Sequence, residues 1–101
     1  MGRAKPLSIG LRQFRRQGDA LAHFSAMLAR YDIDSSVSDK DAVDLLALIE
    51  RHKDRDTKVG VGVAYFKVIR SPERSRCFGI VRLDGTCVDF SYKGCVTGRW
   101  L

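Results

Sequence analysis

The chain has 101 residues, 45% of them apolar and 30% charged, the balance of a folded domain and not of a disordered chain. That length fits one domain over residues 1–101, with a core large enough to hold without disulfide staples. No apolar run approaches the roughly 20 residues that cross a bilayer as a helix, so no membrane partner is expected.

The formal charge of +6 is unevenly placed. Residues 1–16 carry five bases (Arg3, Lys5, Arg12, Arg15, Arg16) and no acid; residues 17–57 hold a net of −4, and residues 58–101 a net of +5. Two basic ends around an acidic middle suit a polyanionic partner, because each neutralised phosphate releases counterions. A solvated positive surface explains the same pattern. Cys77, Cys87 and Cys95 form an odd set with no Cys-x-x-Cys spacing, and no secretory apolar stretch precedes them. Free thiols in a reducing, cytoplasmic compartment are expected, with no metal and no cofactor.

Along the chain, Leu7, Ile9 and Leu11 alternate with Ser8, Gly10 and Arg12, the pattern of a half-buried strand. From about Arg15 to Tyr31 the period changes to three and four: Leu21, Phe24, Leu28 and Tyr31 predict an amphipathic helix, with Asp19 at its positive end. Asp32 to Val37 is turn-like. Ser38 is an N-cap for a second helix, with Asp41 at the third position and Val43, Leu46 and Ile49, beside Ala42 and Leu45, as its buried face. Lys53 to Thr57 reads as a charged loop.

Val59, Val61 and Val63 alternate with Gly60, Gly62 and Ala64 and lead into Tyr65–Ile69, a strand whose small residues permit a bulge or a close backbone approach. Ser71 to Ser75 is a loop. Cys77–Leu83 and Thr86–Tyr92 are two β-rich runs around Asp84-Gly85, a strong hairpin signal. The tail makes a helical turn before Gly98, and Trp100 folds back on the core. The expected class is α+β, with two helices on one face of a mostly antiparallel sheet of about four strands.

Chemistry-bearing groups are sparse. Gly60-Val61-Gly62 lacks the lysine and serine of a phosphate loop, and strand follows it where a helix would be needed. His23 has no nucleophile in a known local signature, and His52 is explained as a cation at a helix C-terminus. Asp84 belongs to its turn; Asp89 stands alone and makes no acid–base pair. An enzyme is not expected. Positive charge and flat side chains do interleave, and the candidate nucleic-acid-binding residues are Arg15, Arg16, Lys58, Tyr65, Lys67, Arg76, Arg82, Tyr92 and Lys93. The competing reading is that Phe66, Phe78 and Phe90 simply fill the core under the helices, as at least half of the aromatics are expected to; alternation lets both hold, since neighbours point to opposite faces. Arg76 and Arg82 lie six residues apart and share a face; for Arg82 an ion pair with Asp89 competes with RNA contact.

The runs Lys58–Arg70 and Arg76–Val96 resemble the plant DCL family, named for defective chloroplasts and leaves. Its domain also occurs in small bacterial proteins and at the end of the largest subunits of plant-specific RNA polymerases. The resemblance is carried by Lys58, Gly60, Gly62 and Phe66, then Arg76-Cys77-Phe78, Arg82, Asp84-Gly85, Asp89-Phe90-Ser91-Tyr92 and Cys95, with Arg51-His52 ahead of them. It covers residues 7–96, the N-terminal part in pattern only. Lys53 stands where a proline is common, and Lys93-Gly94 where two bases are common. The resemblance implies a small RNA-associated accessory module, binding RNA and assisting ribosomal RNA maturation or transcription-linked RNA handling. The competing expectation is a monomeric module that docks on a ribosome-assembly or transcription protein. No catalytic residue carries across.

Overall fold

Leu7 to Leu11, expected as one strand, turns back on itself. The computed structural model describes residues 6–100, so Arg3 and Lys5 of the basic N-terminal end lie outside the described residues. Strands β1 (Leu7–Ile9) and β2 (Arg12–Phe14) form an antiparallel hairpin. Gly10 takes a φ of +63°, and a β-carbon there would stand 2.7 Å from that of Ala47, so the turn lies directly on the second helix. Leu11 sits at the tip and is fully exposed.

Helix α1 (Gln17–Ala29) is shorter at both ends than its periodicity suggests, and it buries Ala20, Phe24, Met27 and Leu28. Ser38 caps α2 (Asp39–Ile49) by accepting from the Asp41 N–H at 3.2 Å. The buried face of α2 is Asp41, Leu45, Leu48 and Ile49; Val43 and Leu46, expected inside, face solvent. The physical reason is Asp41. Tyr31 Oη (2.6 Å) and Arg30 (2.7 Å) donate to its carboxylate, so a charged residue occupies the apolar stripe and displaces its apparent phase. The expected loop at Lys53–Thr57 contains a short helix, α3 (Arg55–Val59).

The main sheet has the order β3–β4–β5, all antiparallel: β3 is Val63–Arg70, β4 Arg76–Arg82 and β5 Cys87–Phe90. Strand β3 starts later than the valine alternation suggests, because Gly60 and Gly62 take positive φ in the turn after α3. The expected bulge falls between Val63 and Tyr65, which pair with Arg82 and Val81. Ser36 bridges to Lys67, so the 34–37 segment adds a short fourth line at the β3 edge. The β4–β5 turn sits at Asp84-Gly85 as expected: Gly85 has φ +87°, and the Asp84 carboxylate accepts from the Thr86 N–H and Oγ1. The α+β class stands, with the strands divided three and two.

One row of this sheet, Phe66, Val68, Phe78, Ile80 and Phe90, enters the core beneath the helices. Tyr65, Lys67, Ile69, Cys77, Val81, Cys87 and Asp89 form the alternate row, and none of them belongs to the buried cluster. Helix α4 (Tyr92–Thr97) follows, capped by Ser91 and closed by Gly98 at φ +73°. Trp100 folds back as expected, its ring centroid 4.4 Å from that of His52.

Candidate nucleic-acid interface

Four of the nine candidate residues make contacts inside the fold. Arg82 donates to the Lys58 carbonyl (3.0 Å), the Thr57 carbonyl (2.9 Å) and Thr86 Oγ1 (3.1 Å), tying the end of α3 to β4. The expected pairing of Arg82 with Asp89 is absent: the fork is already filled by carbonyls at the C-terminal end of a helix, where cations are favoured. A β-carbon at Gly60 would stand 2.9 Å from Arg82 Nε, which is why glycine follows the helix here. Lys58 donates to the Asp89 carbonyl at 2.7 Å and holds α3 against β5. Arg76 shares a face with Arg82, as expected, but that face is the core side; Arg76 crosses its edge to the Tyr31 carbonyl. Tyr92 packs edge-on against Phe78, 6.1 Å between ring centroids.

Arg51 extends this set by donating to the Cys95 (2.7 Å) and Val96 (3.1 Å) carbonyls, which anchors α4. His52 is buried and its Nδ1 accepts from the Asp54 N–H, so it is no exposed helix-capping cation. Burial, reinforced by the positive charges of Lys58 and Lys53, holds its pKa below the usual imidazole value despite Asp54.

The other five candidates face outward in three places. Tyr65 is 45% exposed on the alternate sheet row, with Lys67 two positions on and 3.9 Å from Asp34. Arg15 and Arg16 precede α1; Arg16 lies 4.0 Å from Asp19, and Arg15 makes no ion pair among the described residues. Lys93 is exposed on α4.

Three features escaped the sequence reading. His23 Nε2 and Arg12 both meet the Asp44 carboxylate, at 3.0 and 3.2 Å, joining the hairpin to both long helices. Leu11 and Val43 line a groove of about 390 Å³ over Ala47, with exposed Leu46 on the same helix. A second cleft, about 380 Å³, opens between the β3–β4 turn and the β5–α4 junction, and there Arg76, Tyr92 and Lys93 come together with Cys77 and Asp89. The only sequence signal for it was an Asp89 that no local turn explained.

Residues 25–96 match the family described as "Protein of unknown function (DUF3223)". The chain belongs to this family. Its relatives include the Arabidopsis thaliana protein EMBRYO DEFECTIVE 514, 33% identical over 93 residues, which cover 90% of this chain and 46% of that protein. Tomato (Solanum lycopersicum) "Protein DCL, chloroplastic" is 48% identical over 56 residues, 54% of this chain and 25% of the relative. Subunit 1 of DNA-directed RNA polymerase IV of Arabidopsis is 36% identical over 73 residues, 71% of this chain and 5% of the subunit. The chain thus spans less than half of each of these relatives. The fold matches the solution NMR structure of an uncharacterised Rhodospirillum rubrum protein with a TM-score of 0.84 and 40% identity, covering 94% of this chain and 91% of that one. The resemblance to DCL read from the sequence holds, and the domain is one found in a chloroplastic protein and in an RNA polymerase subunit.

Proposed function

We propose that this domain is an accessory module that binds RNA, serving ribosomal RNA maturation or transcription-linked RNA handling. The observation that carries the reading is the alternate row of the main sheet. It lies outside the core cluster and presents half-exposed Tyr65 beside Lys67, an aromatic platform next to a cation. Arg15 and Arg16 add to it, because cations at a helix start oppose the dipole and gain nothing there for stability. The context of a polymerase subunit and a chloroplastic protein agrees with an RNA-rich setting.

A salt titration with single-stranded RNA tests the reading. Affinity should fall steeply with salt, with a slope of several ions. Tyr65→Ala should weaken binding, and Arg15→Glu with Arg16→Glu should weaken it at least tenfold, about 1.4 kcal/mol, with no loss of thermal stability. Affinity that ignores salt, or survives all three substitutions, refutes it. The groove of Leu11 and Val43 favours a second reading, docking on a protein of a transcription or ribosome-assembly complex. That reading requires salt-tolerant capture of a single protein, lost on Leu11→Asp and Val43→Asp.

A further inference from the structure

The cleft beside β5 contains more than a phosphate site needs. Arg76 and Lys93 bring two cations to it, but Glu73 and Asp89 bring two carboxylates, so its net charge is zero. An anion trap would gain nothing from those acids. The Lys58 contact is with the Asp89 main-chain carbonyl, and among the described residues the Asp89 carboxylate has neither a hydrogen bond nor an ion pair. It projects from the sheet row outside the core, and β5 leads directly into the α4 start that carries Tyr92 and Lys93. Arg76 commits one nitrogen to the Tyr31 carbonyl and keeps the rest of its donors. Leu28 and Tyr92 give the cleft apolar walls, and its volume lies in the range of small-ligand sites.

A carboxylate only accepts hydrogen bonds. The ligand must therefore bring donors to Asp89, acceptors to Lys93 and Arg76, and a flat apolar body for the walls. Among the nucleobases, guanine alone places two adjacent donors, N1–H and the exocyclic amino group, on its Watson–Crick edge, a match for the two oxygens of one carboxylate. Adenine and cytosine put an acceptor beside their amino group, and uracil has one donor between two acceptors. We propose that this cleft receives one guanine of a single-stranded RNA, its Watson–Crick edge on the Asp89 carboxylate and the adjoining phosphates at Lys93 and Arg76. The assignment rests on the RNA reading above and gives it a base preference.

The test uses four probes against the ¹⁵N-labelled chain: the heptamers UUUGUUU and UUUAUUU, and 5′-GMP and 5′-AMP. The guanine heptamer should bind at least tenfold tighter than the adenine one and shift the amides of Cys77, Asp89 and Lys93. GMP should shift the same amides far more weakly than its heptamer. Asp89→Asn, with amide dispersion unchanged, should abolish the preference and leave the adenine heptamer's affinity within about twofold. Equal binding of the two heptamers, or shifts confined to Tyr65 and Lys67, overturns the guanine site and leaves the RNA reading intact. GMP binding as tightly as its heptamer makes the occupant a free nucleotide, which overturns the RNA assignment of the cleft. If neither heptamer binds, the guanine site and the RNA reading both fall.

Discussion

A glycine-to-alanine change inside a helix ordinarily stabilises a protein, and at the buried Gly94 it should do the reverse. Alanine gains about 0.5–1 kcal/mol over glycine from backbone entropy. At Gly94, however, the added methyl would run into the six-membered ring of the Trp100 indole, which rests on this position of α4. The indole is also packed on His52 and lies 5.7 Å beneath the Lys53 ammonium. Truncating a fully buried tryptophan costs about 3–5 kcal/mol; this one is half-buried, so its seat contributes about 2 kcal/mol. Gly94→Ala should then lose about 1 kcal/mol net, lowering the melting temperature of a domain this size by about 4–8 °C.

Trp100 is the only tryptophan in the chain, so its fluorescence reports the displacement directly. Emission should shift to the red in Gly94→Ala under native conditions. The decisive measurement is the double-mutant cycle. In a Trp100→Ala background the same Gly94→Ala change should raise stability by about 0.5–1 kcal/mol, because only the propensity gain is left. A stabilising Gly94→Ala in the intact chain, with emission unchanged, would refute the seat.

Gly85→Val should cost about 1–2 kcal/mol in denaturant unfolding although the space around Gly85 is open, since φ of +87° strains a β-branched residue; an unchanged midpoint would remove the turn assignment. The lowered pKa of His52, caused first by burial and then by Lys58 and Lys53, means that the unfolded chain takes up this proton before the folded one. His52 therefore contributes stability above pH 6.5 that declines as pH falls below it, and His52→Gln should flatten that decline below about pH 6.5. Burial pushes the Cys95 thiol up to about 12 and the Cys77 thiol to about 11, whereas Cys87 is exposed. Alkylation of the native protein at pH 8 should be fastest at Cys87, slower at the partly exposed Cys77 and absent at Cys95, as read by mass spectrometry; rapid labelling at Cys95 would contradict its burial.

What could be read from the sequence was local chemistry. Asp84-Gly85 and Ser38 specify their own turn and cap within three residues, so both were legible. The face of α2 was not, because Asp41 is buried through Tyr31 and Arg30, 10 and 11 residues away. The candidate site failed in the same way. A lysine that meets a phosphate and one that meets a carbonyl make the same kind of charge-assisted bond to oxygen. Only the strand register shows that Lys58 has a carbonyl 31 residues away and Arg82 one 25 residues away. Much of the motif that carries the family resemblance therefore closes the fold, fastening α3 to the sheet, while Arg51 fastens α4. Gly94 is fixed by packing of the same kind: a side chain there would occupy the space of the Trp100 ring. Lys93, next to it, keeps the charge and faces the cleft with Asp89. The glycine serves packing, and the lysine stays exposed.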